Sequence, residues 1–376
     1  MIPLFKVNMS PDASAAVAEV LASGMIGEGP KVQAFQEELG VLLDSPFVTC
    51  LNSCTSALVL ALRLVQEGRD RWKQRSTRNV VSTPFTFIAT NTAIRESGNT
   101  IVWAGLQPET LCSDPDSVIE KARECLPAAV VITMVGGCAP IGLDALYEEL
   151  KHLGIPLVLD CAHAILTTYK GRHISHWADF ACFSFQAIKH LTTGDGGALV
   201  CGDREDHLSA EKLKWFGLSR EAPPGVTRLE HQMKSSAAAW GYKFHMNDIS
   251  AAIGLSNIEV AKSAVAASRE NARYFDELIS GIPGLSSIGN PECDSSCWAY
   301  GFRVGDSNVM EVVAKFAGMG IMASPLWPLN SIHRCFPECG QGQPDVIFVP
   351  NGFWVGRNER DQIANGIAHV LGGRDD

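Results

Sequence analysis

Apolar residues recur along this chain in two alternating rhythms. Short unbroken runs at 80–82, 101–104, 129–135, 156–160, 180–185 and 198–201 have the length and composition of buried strands. Between two of them, Leu143, Leu146, Leu150 and Leu153 repeat at helical spacing, and Gly154 and Pro156 stop the run. Earlier, Ser10 and Pro11 form a helix start ahead of Val17, Val20 and Leu21, and Gly24 ends that helix. A second amphipathic run follows Pro30, and the run 53–65 is apolar almost all round, which predicts a buried helix. Buried strands separated by helices predict an α/β fold with a mostly parallel sheet covered on both faces. The later strands lie closer together, which makes the sheet mixed.

The rhythm breaks at 220–232, a polar stretch with prolines that reads as a long surface loop. Asn247 or Asp248 then caps a long helix over about 249–279. Beyond it, strands at 298–304 and 346–349 mix with helices at 309–318 and 360–371. The expected organisation is a large domain, 1–245, and a smaller α+β domain, 246–376, that opens with the long connecting helix. No internal repeat or low-complexity segment is visible.

Composition narrows the function classes. The 376 residues carry a formal charge of −10, which argues against a nucleic-acid binder held by neutralised phosphates. A positive pocket for a small anion is still compatible with that balance. No run reaches the roughly 20 apolar residues of a membrane span, and the first residues lack the pattern of a secretory leader. Most of the 12 cysteines sit in apolar stretches, as reduced thiols of a cytoplasmic protein do. Cys50/Cys54, Cys293/Cys297 and Cys335/Cys339 are spaced C-x-x-x-C, not as tight metal knuckles, so no metal site is expected.

The chemistry centres on Lys189, which follows a buried strand and precedes a Thr/Gly-rich turn, where α/β proteins place ligands. Asp160 ends another buried strand and needs a partner to offset the cost of burying its charge. A pyridinium nitrogen is such a partner, as in enzymes that use pyridoxal phosphate. Ser53-Cys-Thr-Ser opens the buried helix and offers free N–H groups to an anion, and Ser184 could add a hydroxyl. Phe87 follows a further strand and has the shape to stack on a flat ring.

Six motifs occur in order: Gly24-Met-Ile-Gly-Glu-Gly-Pro, Asn52-Ser-Cys-Thr-Ser-Ala-Leu, Pro84-Phe-Thr-Phe, Asp160-Cys-Ala-His, Ser184-Phe-Gln-Ala-Ile-Lys and Gly241-Tyr-Lys-Phe-His-Met-Asn-Asp. Together they resemble the DegT/DnrJ/EryC1/StrS family of sugar aminotransferases over nearly the whole chain. The resemblance implies the aspartate-aminotransferase fold (fold type I of the pyridoxal-phosphate enzymes) and a homodimer with shared active sites. It implies that Lys189 is the lysine that bonds pyridoxal phosphate and shuttles the proton. Asp160 would pair with the ring nitrogen, His163 would lie near the phenolic oxygen, and Phe87 would stack on the ring. Thr55, Ser56 and Ser184 would hold the phosphate, joined by Lys243 from the neighbouring subunit.

The implied substrates are glutamate and a nucleotide-linked keto-deoxy sugar, aminated at C4 as in perosamine and viosamine synthases. Arg220, Trp327 and His333 are substrate candidates. A branch of the family with histidine in place of the lysine removes a hydroxyl instead, and Lys189 favours amino transfer. Two departures stand out: Trp327, Leu329 and Ser331 replace a polar motif, and Met134 replaces a His or Asp, all at positions expected to face substrate. A 3-keto sugar aminotransferase, a sugar dehydratase and a non-enzymatic regulator are the alternatives. A nicotinamide enzyme fits poorly, since no G-x-G-x-x-G follows an early strand.

Overall fold

The computed structural model describes residues 1–67, 77–219, 225–237, 239–305 and 307–371. The first stretch runs α1 (Ala13–Ser23), α2 (Pro30–Leu42), β1 (Val48–Leu51) and α3 (Cys54–Gln66). Alternation continues through β2 (Asn79–Ser82), α4 (Ile88–Glu96), β3 (Thr100–Trp103), α5 (Pro115–Cys125), β4 (Ala129–Thr133), α6 (Leu143–Leu153) and β5 (Leu157–Asp160). After the short β6 (Thr168–Tyr169) and β7 (Arg172–His173) come β8 (Phe180–Ser184), β9 (Gly197–Cys201), α7 (Arg204–Leu213) and α8 (Arg228–Lys234). The remainder is α9 (Asp248–Ser280), β10 (Cys293–Asp294), β11 (Tyr300–Arg303), α10 (Val309–Gly318), β12 (Val346–Val349) and α11 (Arg357–Leu371).

Seven strands form one sheet in the order β1-β9-β8-β5-β4-β2-β3. Neighbours from β8 through β5, β4 and β2 to β3 pair in parallel, while β9 pairs antiparallel with both β8 and β1. Only β9 therefore runs against the rest, so the sheet is mixed and mostly parallel, as the strand spacing predicts. Every residue of β4, β5 and β9 is buried, which is the reason these strands read as unbroken apolar runs. β1 escaped the pattern because it is a four-residue edge strand in which Thr49 interrupts the apolar positions. The stretch read as a loop at 220–232 is corrected in part: Arg228–Lys234 is helical, and Thr227 and Glu230 close a capping box at its start. Residues 220–224 lie outside the described residues.

One core lies on each face of the sheet. Phe35, Leu39, Leu146, Leu150 and Phe183 belong to one and the apolar face of α3 to the other. α9 links the first of these to a third core. Its Ala251, Ile258 and Val265 join the sheet core, whereas Ala272, Phe275 and Ile279 join β11, β12, α10 and α11. Ile2 packs into that third core too and bridges to Ile321.

The two candidate caps of the long helix divide the work. Asn247 accepts the Ser250 N–H and caps α9. Asp248, buried, turns away and accepts from Gly29 at 2.8 Å, Lys31 at 3.2 Å and Val32 at 3.0 Å. α2 begins after glycine, which offers no capping side chain, so a carboxylate more than 200 residues away supplies the cap. Asp248→Ala strands those three N–H groups and should lower unfolding stability by about 1–2 kcal/mol. Urea unfolding midpoints measure it, and an unchanged midpoint would refute the role assigned to this carboxylate.

Candidate active site

The parallel strands deliver their last residues to one edge of the sheet. Thr133 of β4 stands beside Asp160 of β5, and Asp160 beside Cys182 of β8, so Ser184 projects two residues beyond that line. Ligands of open α/β sheets bind at this carboxyl edge. Lys189 lies within the turn that follows, which closes where the Thr193 N–H returns to Phe185 O at 2.9 Å.

Asp160 is buried and accepts three hydrogen bonds. Thr90 Oγ1 donates to Oδ2 at 2.6 Å, while the Ala162 N–H at 3.1 Å and the Cys54 thiol at 3.9 Å reach Oδ1. Thr90 is the end of a hydroxyl chain from Thr133 through Thr86, with links of 3.0 and 2.8 Å. Burial pushes the Asp160 carboxyl above the usual range, and Thr90, Ala162 and the Lys189 charge oppose that rise only in part. A cationic group against it would offset the remainder.

The Lys189 side chain is half-buried, and its Nζ lies 4.1 Å from the ring centroid of Trp298. Burial lowers its pKa to about 8, with Asp160 and Cys54 resisting. The neighbouring His163 ring stacks on Trp298 at 3.8 Å with 5° between planes, and Trp327 stands 5.5 Å from it. Burial, the Lys189 charge and His190 hold the His163 pKa well below the ordinary value, so the imidazole is neutral. Its Nδ1 is buried without a hydrogen-bond partner. An orphaned buried nitrogen is costly unless a ligand supplies the missing bond.

α3 approaches the same edge by its N-terminus. Ser53 accepts the Ser56 N–H, and the first N–H groups of the helix, at Cys54 and Thr55, have no carbonyl within the helix to reach. The approach needs Gly197 opposite, where a Cβ would stand 2.4 Å from the Cys54 nitrogen. Ser184 pairs in register with this glycine, so its hydroxyl, Thr55 and Ser56 share one neighbourhood with Asp160, through Cys54. An anion is the ligand such a helix start favours.

Not every candidate joins this group. Phe87 precedes α4 and is 57 % exposed, one helical turn before Thr90. Lys243 is exposed, on a backbone bridge to Trp215. Trp327 is brought in, with Phe85 5.5 Å from its ring. His333 is not: its ring lies 6.3 Å from Phe336, which packs with Trp103 at the end of β3. Arg220 lies outside the described residues. Met134, expected to face substrate, is fully buried and gives its N–H to the Asp160 carbonyl at 3.0 Å, so it supports the strand end from behind. Leu329 is buried as well, and Ser331 Oγ lies 2.9 Å from Cys339 Sγ.

Two residues were missed. Thr90 lies three residues beyond the quoted motif Pro84-Phe-Thr-Phe, and only the tertiary contact reveals its hydroxyl on Asp160. Trp298 opens a segment read only as a strand, 298–304, and nothing in its local sequence marks it as the surface beneath Lys189. A recess of about 1100 Å³ along α2 and α7 is lined by neither Lys189 nor Asp160.

Comparison with known proteins identifies relatives of the chain in sequence and in fold. Residues 8–344 match the sequence model described as the DegT/DnrJ/EryC1/StrS aminotransferase family. Spore coat polysaccharide biosynthesis protein SpsC of Bacillus subtilis is 33% identical over 276 residues, which is 72% of this chain and 67% of that protein. The crystal structure of AtS13 from Actinomadura melliaura superposes with a TM-score of 0.87 at 35% identity and covers 98% of both chains. The sugar aminotransferase CalS13 from Micromonospora echinospora does so with a TM-score of 0.87 at 30% identity, over 98% of this chain and 100% of that one.

A buried ammonium destabilises the fold while it is charged. Because the Lys189 pKa falls from about 10.4 in the unfolded chain to about 8 in the folded one, that cost is full below pH 8 and gone above 10.4. Lys189→Met should therefore stabilise the cofactor-free protein by about 2 kcal/mol at pH 7, allowing for the half-buried position, and the gain should shrink between pH 8 and 10.4. Denaturant titrations across that range measure it. A gain that does not change with pH would rule out the shifted lysine.

Proposed function

The chain belongs to the DegT/DnrJ/EryC1/StrS aminotransferase family, and from that we propose that it moves an amino group from glutamate to C4 of a nucleotide-linked 4-keto-6-deoxy sugar. At the coarser level it is a pyridoxal-phosphate-dependent sugar aminotransferase of fold type I. The observation that carries the residue assignments is the meeting of a buried carboxylate and a half-buried amine at the carboxyl ends of two adjacent parallel strands.

Bound pyridoxal phosphate supplies an electron sink for loss of a proton from the carbon that carries the nitrogen. The residues present fit that group: the orphaned His163 Nδ1 awaits a polar partner, Asp160 a cation, and the α3 start an anion. In this reading Asp160, steadied by Thr90, keeps a proton on the ring nitrogen. Thr55, Ser56 and Ser184 take the phosphate, and Lys243 reaches it from a second subunit. Phe87 covers one face of the ring, and His163 turns its nitrogen to the phenolic oxygen. Lys189 holds the cofactor and then moves the proton; a pKa of about 8 leaves a useful fraction of free base near neutral pH. Trp298 and Trp327 offer an apolar wall that suits a sugar lacking the 6-hydroxyl.

Retention of lysine supports transfer over dehydration, and the name of SpsC, a polysaccharide biosynthesis protein, supports sugar supply to a glycan. Twelve free thiols support a reducing cytoplasm as its location. No helix among the described residues is long and apolar enough to cross a membrane.

Protein purified with the cofactor should be yellow, and glutamate should bleach it. Lys189→Ala should abolish the band and cut turnover at least about 10³-fold. A colourless protein that ignores added cofactor would sink the assignment, and a band indifferent to glutamate would sink the donor. Products from a panel of 3-keto and 4-keto sugar nucleotides, read by NMR, decide the aminated carbon. For Lys243, mixed dimers of Lys243→Ala and Lys189→Ala should regain up to about a quarter of wild-type activity, because random pairing makes half the dimers mixed and gives each one intact site. No recovery in dimers shown to be mixed would overturn the shared site.

A further inference from the structure

Three thiols that the reaction does not use meet at one cavity. Cys138, Cys293 and Cys297 line a space of about 190 Å³, together with Arg269, Asp276 and Tyr300. Cys138 follows the tight turn Val135–Gly137 at the end of β4, and Cys293 opens β10. They are 155 positions apart in the chain, yet the Ala139 N–H, one residue beyond Cys138, donates to Cys293 Sγ at 3.4 Å. The Cys138 thiol donates to the Ala139 carbonyl at 3.4 Å, so both sulfurs lie against the same residue.

The two sulfurs differ in environment. Cys138 is buried, and the neighbouring Cys293 together with burial pushes its pKa well up. Cys293 is partly exposed, and the Cys138 thiol, the Ala139 N–H and the Arg269 charge pull its pKa down against burial and Asp294. Arg269 is fixed in place by the carbonyls of Leu166, Asp294 and Ser295 at 2.8–3.0 Å. A partly exposed cysteine beside a buried thiol is the arrangement in which one cysteine reacts and the other resolves.

We propose that Cys138 and Cys293 are a peroxide-reactive dithiol whose disulfide is a reversible modification of this protein. The Cys293 sulfur attacks one oxygen of hydrogen peroxide, the O–O bond breaks, and the departing hydroxide takes the thiol proton and leaves as water. The resulting sulfenic acid is attacked at sulfur by Cys138. Its S–O bond breaks, and a second water leaves with the Cys138 proton. Two thiols lose two electrons and two protons, and one peroxide becomes two waters.

The pair adjoins the segment that carries Trp298. Ser296 Oγ donates to the His163 carbonyl, and the Trp298 N–H donates to the Gly136 carbonyl at 2.9 Å. Gly137 admits no side chain here, since a Cβ would stand 2.3 Å from Ser296 Oγ. The modification therefore falls immediately behind the aromatic surface of the site.

The test uses the reduced full chain, treated with hydrogen peroxide, alkylated and mapped by mass spectrometry. The expected result is the loss of two alkylatable thiols per chain and a linked peptide pair containing Cys138 and Cys293, both reversed by dithiothreitol. Cys293→Ser should remove the loss. Cys138→Ser should instead let Cys293 advance to sulfinic acid, and Cys335→Ser, which changes an exposed thiol elsewhere, should leave the link intact. A link joining Cys293 to Cys297 or Cys335 to Cys339 would overturn the proposal. So would an unchanged thiol count in the wild-type chain under conditions that oxidise glutathione, a result that needs no variant to fold.

Discussion

A carboxylate at the end of a buried strand is stable only when its surroundings answer its charge, and Asp160 imposes that requirement on everything near it. Three donors meet it, yet its carboxyl remains pushed upward. The nearby Lys189 is half-buried and pushed the other way. Each group is costly alone, and each lowers the cost of the other. Such a pair marks a place where binding of a ligand with both a cationic and an electrophilic end would release strain that the free protein carries.

The sheet exists to hold that pair. Parallel pairing sets the carboxyl ends of β4, β5 and β8 at one edge, and the reversed strand β9 brings Gly197 under the start of α3. A helix N-terminus can then approach Asp160 closely enough for Cys54 to touch it. The hydroxyl chain through Thr133, Thr86 and Thr90 joins β4 and α4 to the same carboxylate. Rigid elements therefore fix the groups around Asp160, while Lys189 is carried by the connection between β8 and β9.

Aromatic rings finish the recess from the other side. Phe5 stacks on Trp298 at 4.3 Å, and Trp298 on His163 at 3.8 Å, with Trp327 beyond. This column draws on the first residues of the chain, the turn after β5 and the segment leading into β11. It keeps His163 neutral and gives the Lys189 amine a surface that tolerates either charge state. α9 supports the arrangement by joining the sheet core to the core around β11 and β12.

The sequence by itself determined the alternation of strands and helices, the mixed sheet and the lysine and aspartate at strand ends. These follow from burial, because a strand covered on both faces must be apolar throughout and any charge at its end is conspicuous. It also carried the helix start at Ser53, since capping is local chemistry. Only the tertiary structure decided that Asp248 caps a helix begun more than 200 residues earlier, that Trp298 lies beneath Lys189, and that His333 stands elsewhere. Met134 likewise turned out to support a strand end and not to line the recess. The physical reason is common to all four. Burial and capping preferences act through near neighbours and leave a periodic trace, whereas a contact between distant segments leaves none until the chain has closed on itself.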